Sequence, residues 1–247
     1  MKLKKLLILF MMLSMVVCAT ACGNSDEDDI RGQINKDTES ESQNSESSED
    51  TEINNTTENS ETSENEEPSL SLNNAKGSTY ESSFMGLGWT LPDGWIFFNE
   101  DQLKQMNNIT ADMIDDKQIQ EALKNATLIC DMYAMNSITG DTINIQLEKL
   151  TGLTSLYDAE TYVDASISSL PSALQSAGYT NITTEKTTVT IAGEDHPGIS
   201  LAATYSGVVV YEKLACIKIG NYMAVITTAS TTEANLDVIF ANFYSLK

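Results

Sequence analysis

Hydrophobic and polar positions along this chain change period several times, and each change marks an element. Leu6 to Val17 is an apolar run interrupted by Ser14 alone. Between Asn24 and Glu67 the apolar signal nearly vanishes, and it returns at Trp89-Thr90-Leu91-Pro92-Asp93-Gly94-Trp95. The Pro-Asp-Gly turn predicts a hairpin joining 86–91 to 95–98. Asn99 then reads as the N-cap of a short helix, with Glu100 and Asp101 in the first turn where the helix dipole favours anions. The spacing of Ile119, Ala122 and Leu123 predicts a second helix over about 110–124.

Thr127–Met135 and Thr142–Leu150 read as strands. In the second, Ile143, Ile145 and Leu147 alternate with Asn144, Gln146 and Glu148, which predicts a sheet with one wet face. Asp158–Ala177 is an amphipathic helix with Val163, Ile167, Leu170 and Leu174 on one stripe. Gly178 ends it, and Pro171 is expected to kink it or start a new turn. A meander over 183–192, 199–205, 208–219 and 222–229 follows, with turns at Gly193–Gly198, Ser206-Gly207 and Gly220-Asn221. Ser230 and Glu233 form a candidate capping box for a last helix carrying Leu236, Ile239, Phe240 and Phe243. Short-turn strands with inserted and appended helices predict an α+β domain, its sheet largely antiparallel and packed by amphipathic helices.

Charge divides the chain further. The 247 residues carry a net charge of −22. Residues 24–67 hold 16 Asp or Glu against Arg31 and Lys36, with no aromatic residue. Such a segment buries too little apolar surface to offset its chain entropy, so a disordered spacer is expected, spanning roughly 40 Å or more. Residues 69–247 hold 20 acidic and 9 basic residues, which argues against nucleic acid and against docking on anionic lipid. Their length suits a single core.

The N-terminus supplies an address. Three lysines within Met1–Lys5, a short apolar middle and the small residues Ala19-Thr20-Ala21 before Cys22 are the parts of an exported signal peptide. The apolar run is shorter than the roughly 18–20 residues that span a bilayer. The stretch resembles the lipobox of bacterial lipoproteins, with Cys22 as the diacylglycerol-bearing residue and Ala19 a departure from the commoner leucine. Cys18, preceded by bulky Val16 and Val17, fits less well. Ordinary signal cleavage beside an incidental cysteine is the plainer alternative. The expected organisation is a signal peptide over 1–21, an acidic tether over 22–75 and a folded domain over 76–247. The expected location is the extracytoplasmic face of a bacterial membrane of Gram-positive type, with the membrane engaged through the N-terminal lipid.

Tyr80…Phe84…Trp89-Thr90-Leu91-Pro92-Asp93-Gly94-Trp95 resembles the entry of PsbP-like domains. The order that follows is similar: helix, two strands, long helix, four-strand meander and C-terminal helix. The resemblance implies an antiparallel sheet with helices on its faces, in a fold used mainly by non-enzymatic accessory and binding proteins. No catalytic residue carries over.

Candidate chemistry is sparse. Cys130 and Cys216 in strand-like runs are a possible disulfide, or two small buried residues. His196, the one histidine, falls in the turn-rich Gly193–Gly198 segment and reads as a surface residue. No nucleophile has a recognisable setting and zinc ligands are lacking. Asp112, Asp115 and Asp116 do not follow a calcium-loop order, so no cofactor or metal is expected. Trp89 and Trp95 are candidates for a ligand platform, though strand tryptophans more commonly pack in the core. The expectation is a non-catalytic binding or accessory module whose partner is an envelope protein or a small ligand. The alternatives are a solute-binding transporter component and an envelope hydrolase using a carboxylate pair such as Asp131 and Glu148.

Overall fold

The computed structural model describes residues 70–72, 74–109 and 116–246. The signal segment, Cys22, most of the tether, Asp112 and Asp115 lie outside them. The described chain is α+β, with every strand pair antiparallel. Four short strands, β1 (Ala75–Lys76), β2 (Thr79–Ser82), β3 (Leu87–Thr90) and β11 (Phe243–Ser245), form a small sheet in the order β1-β2-β3-β11. A larger sheet runs β4-β5-β6-β10-β9-β8-β7. Its strands are β4 (Trp95–Phe97), β5 (Leu128–Asn136), β6 (Thr142–Lys149), β7 (Thr180–Ile191), β8 (Glu194–Tyr205), β9 (Val208–Ile219) and β10 (Tyr222–Ser230). Helices α1 (Glu100–Met106), α2 (Asp116–Asn125), α3 (Ala159–Ser176) and α4 (Asn235–Phe240) complete it.

The large sheet divides the interior into two cores. On one face Tyr162, Val163, Leu170 and Leu174 of α3 pack with Ile199, Leu201, Val210, Leu214 and Val225. On the other, Tyr80, Trp89 and Phe243 of the small sheet, Leu123 of α2 and Phe240 of α4 pack with Ile143, Ile145, Leu147 and Ile226. At one edge α1 covers β5 with Leu103 against Cys130, Tyr133 and Met135.

Local signals explain much of this. Asn99 and Gln102 exchange side-chain-to-backbone hydrogen bonds of 2.9 Å, a capping box that starts α1. Asp158 caps α3 by accepting the Thr161 N–H at 2.8 Å. Gly178, at φ +92°, provides the left-handed turn that stops it. The helix is continuous through Pro171, so neither a break nor a fresh start is needed there.

Three expectations are corrected. The segments around the Pro-Asp-Gly turn do not form a hairpin: β3 pairs with β2 and β11, whereas β4 pairs with β5. The turn, closed by Trp95 N–H donating to the Pro92 carbonyl, passes the chain from one sheet to the other. Ser230 is not a helix cap. It ends β10 and donates to the buried Asp141 at 2.7 Å, and α4 begins only at Asn235. His196 lies within β8 opposite Val189, because the β7–β8 turn contracts to Ala192-Gly193, both at positive φ.

Gly198 marks the closest approach between strands. A Cβ placed there lies 2.2 Å from the Leu214 carbonyl oxygen on β9 and 3.0 Å from Val189. Because the obstacle is backbone, relief requires β8 and β9 to separate. Gly198→Ala is expected to destabilise the fold by about 1–3 kcal/mol, the range of an overpacked core, read from the urea midpoint. An unchanged midpoint contradicts the close approach.

Candidate functional site

The interior strand β6 carries a row of polar side chains on the α3 side of the sheet: Thr142, Asn144, Gln146 and Glu148. All are at most 2 % exposed, so the expectation of a wet face is corrected: the alternation is real, but the polar side is buried. Here α1 lies over β5 and α3 over β7 to β9, with β6 and β10 between them. Burying this many hydrogen-bonding groups costs free energy unless each is partnered.

Four carboxylates are buried in the described residues, and their partners set them apart. Asp141 accepts from Ser230 Oγ at 2.7 Å and from Asn235 Nδ2 at 3.0 Å, tying the β5–β6 turn to α4. Asp131, at a bulge in β5, accepts from the Tyr80 hydroxyl and from Asn74 Nδ2 at 2.9 Å, which fastens the start of the folded region to the sheet. Burial pushes the Asp131 carboxyl up to about 6, against the lowering effect of those two donors. Glu148 accepts from the Tyr162 hydroxyl of α3. Glu212 is the exception. It is 1 % exposed, and neither carboxylate oxygen meets a donor. Burial holds its pKa well above the ordinary range.

Glu212 points to the α3 side because it alternates on β9 with Val210, Leu214 and Cys216, which belong to that core. Three further polar atoms lack partners: Tyr133 Oη, Asn144 Oδ1 and Ser166 Oγ. Tyr133 and Asn144 are direct cross-strand partners, and Ser166 is on the buried stripe of α3. The Tyr133 hydroxyl sits near Thr142 without completing a hydrogen bond, and burial raises its pKa. Every unpartnered buried side-chain atom in the described residues therefore lies on elements that meet at one face of one sheet. That face is the candidate functional site: unmatched hydrogen-bonding capacity around one unmatched carboxylate.

The residues singled out in the sequence fall elsewhere or apart. Asp131 turns toward Tyr80 in one core and Glu148 toward Tyr162 in the other, so this carboxylate pair faces opposite sides of the sheet and cannot flank one bond. Cys130 and Cys216 are buried free thiols. They share a row, Cys130–Gln146–Val225–Cys216, three strand spacings or about 14 Å apart, far beyond disulfide reach. Burial raises both, Cys216 to about 12, which leaves protonated thiols and weak nucleophiles. His196 is half-buried, with its pKa lowered by burial. Trp89 and Trp95 meet edge to face at 5.7 Å in the second core, as packing residues. Among the described residues no three His, Cys, Asp or Glu side chains gather as a metal site, and no helix is long and apolar enough to cross a membrane.

A surface cleft of about 690 Å³ opens on the opposite face, lined by Thr188, Thr190, Phe240 and Tyr244. Its charged groups, Lys213 and Asp237, satisfy each other at 2.5 Å, so it offers a ligand little unmatched chemistry.

No family model and no curated protein matches this chain. Several solved structures overlap it loosely. LpqN of Mycobacterium tuberculosis, described as involved in cell envelope biogenesis, is 14 % identical over 69 % of this chain and 85 % of its own, with a TM-score of 0.35. The Ran-binding protein Mog1p of Saccharomyces cerevisiae is 11 % identical over 72 % and 97 %, with a TM-score of 0.36. A protein of Bacteroides thetaiotaomicron is 12 % identical over 70 % of this chain, with a TM-score of 0.34; this chain spans 50 % of its length. Overlaps of this size carry no function from one protein to another.

Proposed function

We propose that this chain is an envelope lipoprotein, held at the extracytoplasmic face by lipid on Cys22, whose folded region binds a ligand or partner without transforming it. The observation that carries the binding reading is the unpartnered Glu212 among unpartnered Tyr133, Asn144 and Ser166 on one sheet face. A protein retains such unmatched groups against their cost to stability where they serve a ligand. The opposed Asp131 and Glu148 do not form the carboxylate pair given as the example for the hydrolase alternative. Capture of a solute for a transporter remains a form of the same reading, with the polar face as its seat.

Two measurements test it. Cells fed radiolabelled palmitate are expected to label the wild-type chain and not Cys22→Ala; equal labelling overturns the anchor. For the folded region, the purified chain is expected to release no soluble product from cell-wall polymer. Product release at a rate proportional to its concentration overturns the non-catalytic reading.

A further inference from the structure

The large sheet ends on β7, and no described strand pairs with its outer side. The opposite edge, β4, is a stub of 3 residues. β7 instead runs from Thr183 to Ile191 in unbroken register with β8, without the proline or bulge that commonly blunts an edge. Its irregularity falls earlier, between Thr180 and Thr183. The turn at Ala192-Gly193 closes on Ile191 and Glu194 as a hydrogen-bonded pair. Pair types alternate from there, so Thr190–Asp195, Thr188–Pro197, Lys186–Ile199 and Thr184–Leu201 are non-hydrogen-bonded pairs. Pro197, which has no N–H to give, fits that assignment. Thr184, Lys186, Thr188 and Thr190 therefore turn their main-chain N–H and C=O groups outward, and the last three are exposed.

We propose that this edge pairs with the same edge of a second copy, antiparallel about a twofold axis through Thr187. A symmetric antiparallel pair sets one residue opposite itself, and which residue that is decides the match. With Thr187 on the axis, Thr184 meets the partner's Thr190 and Lys186 meets the partner's Thr188, and the reverse holds by symmetry. Every outward-turned residue then exchanges main-chain hydrogen bonds. An axis through Lys186 or Glu185 sets like charges opposite each other, which destabilises a strand pair. An axis through Thr188 carries Thr184 past the end of the strand, onto the partner's Ala192 in the turn. Only the register at Thr187 avoids both faults, and it gains cross-strand threonine pairs, which favour pairing. Lys186, beside the axis, has its charge answered by Asp164 of α3. On the other face Glu185 comes opposite the partner's Val189, at the mouth of the cleft of about 690 Å³ that borders Thr188 and Thr190, which leaves it room.

The axis residue gives a register-specific test. Across a non-hydrogen-bonded antiparallel pair the Cα atoms lie about 4.5 Å apart, within disulfide range. In the full lipid-bearing chain in detergent, Thr187→Cys is expected to form a covalent dimer under a mild oxidant at least tenfold faster than Glu185→Cys. Glu185 is the more exposed of the two, but in this register it stands about 13 Å along the strand from its own copy. The native thiols Cys130 and Cys216 are buried and do not compete. Thr188→Pro removes an outward N–H that β8 does not use, and is expected to weaken the dimer at least tenfold in sedimentation equilibrium with density-matched detergent. A monomeric wild type overturns the proposal and leaves the edge to a different chain. Thr187→Cys crosslinking no faster than Glu185→Cys overturns it, and so does an unchanged dimer in folded Thr188→Pro. Should Thr188→Pro not fold, the two cysteine rates decide. Self-pairing goes beyond the ligand reading and stands apart from it: neither palmitate labelling nor product release from wall polymer bears on it.

Discussion

Trp89→Ala is expected to lower the unfolding free energy by about 3–5 kcal/mol, the range of an emptied large aromatic site. The side chain is fully buried. Its ring meets Trp95 at 5.7 Å, Phe97 at 5.8 Å and Phe243 at 6.4 Å, and its indole N–H donates to the Ile239 carbonyl at 3.1 Å. One residue thus joins β3 of the small sheet to β4 of the large sheet, to β11 and to the last turns of α4. Truncation leaves a cavity lined by aromatic faces and a buried carbonyl without its donor, and both terms destabilise. A domain holds about 5–15 kcal/mol in all, so the variant should unfold at a much lower urea concentration. Trp89→Phe keeps most of the volume and is expected to lose less. A midpoint shift for Trp89→Ala worth under about 1 kcal/mol contradicts the account of how the two sheets are held together.

The contrast between elements read correctly from the sequence and those misread is a contrast between local and tertiary causes. The cap at Asn99, the stop at Gly178 and the meander strands depend on nearby residues, and the structure keeps them within a few positions. The Pro-Asp-Gly turn has the same local chemistry whether its flanking segments pair together or part into two sheets. Only the aromatic packing between sheets decides that, and Trp89 shows it through partners 150 residues away and more. The polar row of β6 was visible as an alternation, but periodicity says which side chains share a face and not whether that face meets water. Glu212 does carry a signal in the sequence. In Val210-Tyr211-Glu212-Lys213-Leu214-Ala215-Cys216 it holds the inward register of an otherwise apolar period-2 series, and Lys213 beside it makes the pair look like a solvated turn of charge. The positions of Cys130 and Cys216 on one row were beyond the sequence, because strand order β5-β6-β10-β9 is set by topology.

Stability of the folded region is expected to fall as pH rises from 5 to 8, by about 1.4 kcal/mol from Asp131 between pH 5 and 6 and further through Glu212, counter to the usual rise of a protein whose carboxylates are held by salt bridges. Two groups set the sign. Asp131 has its folded pKa raised from 3.8 to about 6, so its stabilising contribution is fully present below 3.8 and is lost as pH climbs through 6. Glu212 is raised well above 4.5, so its contribution is present below 4.5 and erodes until pH passes its folded value. Each group costs about 1.4 kcal/mol per pH unit within its window. His196 works the other way. Its pKa is lowered by burial, so its contribution is present above 6.5 and is lost as pH falls through the folded value. It is a single, half-buried group and does not reverse the sum. Lys186, raised by Asp164, and Asp158, lowered by the Thr161 N–H, titrate outside the window. Urea midpoints at pH 5, 6, 7 and 8 measure the slope. Glu212→Gln should flatten it and raise stability at pH 8, while Asp131→Asn should flatten it below pH 6. A wild-type chain that gains stability from pH 5 to 8 refutes the buried, unmatched carboxylate on β9.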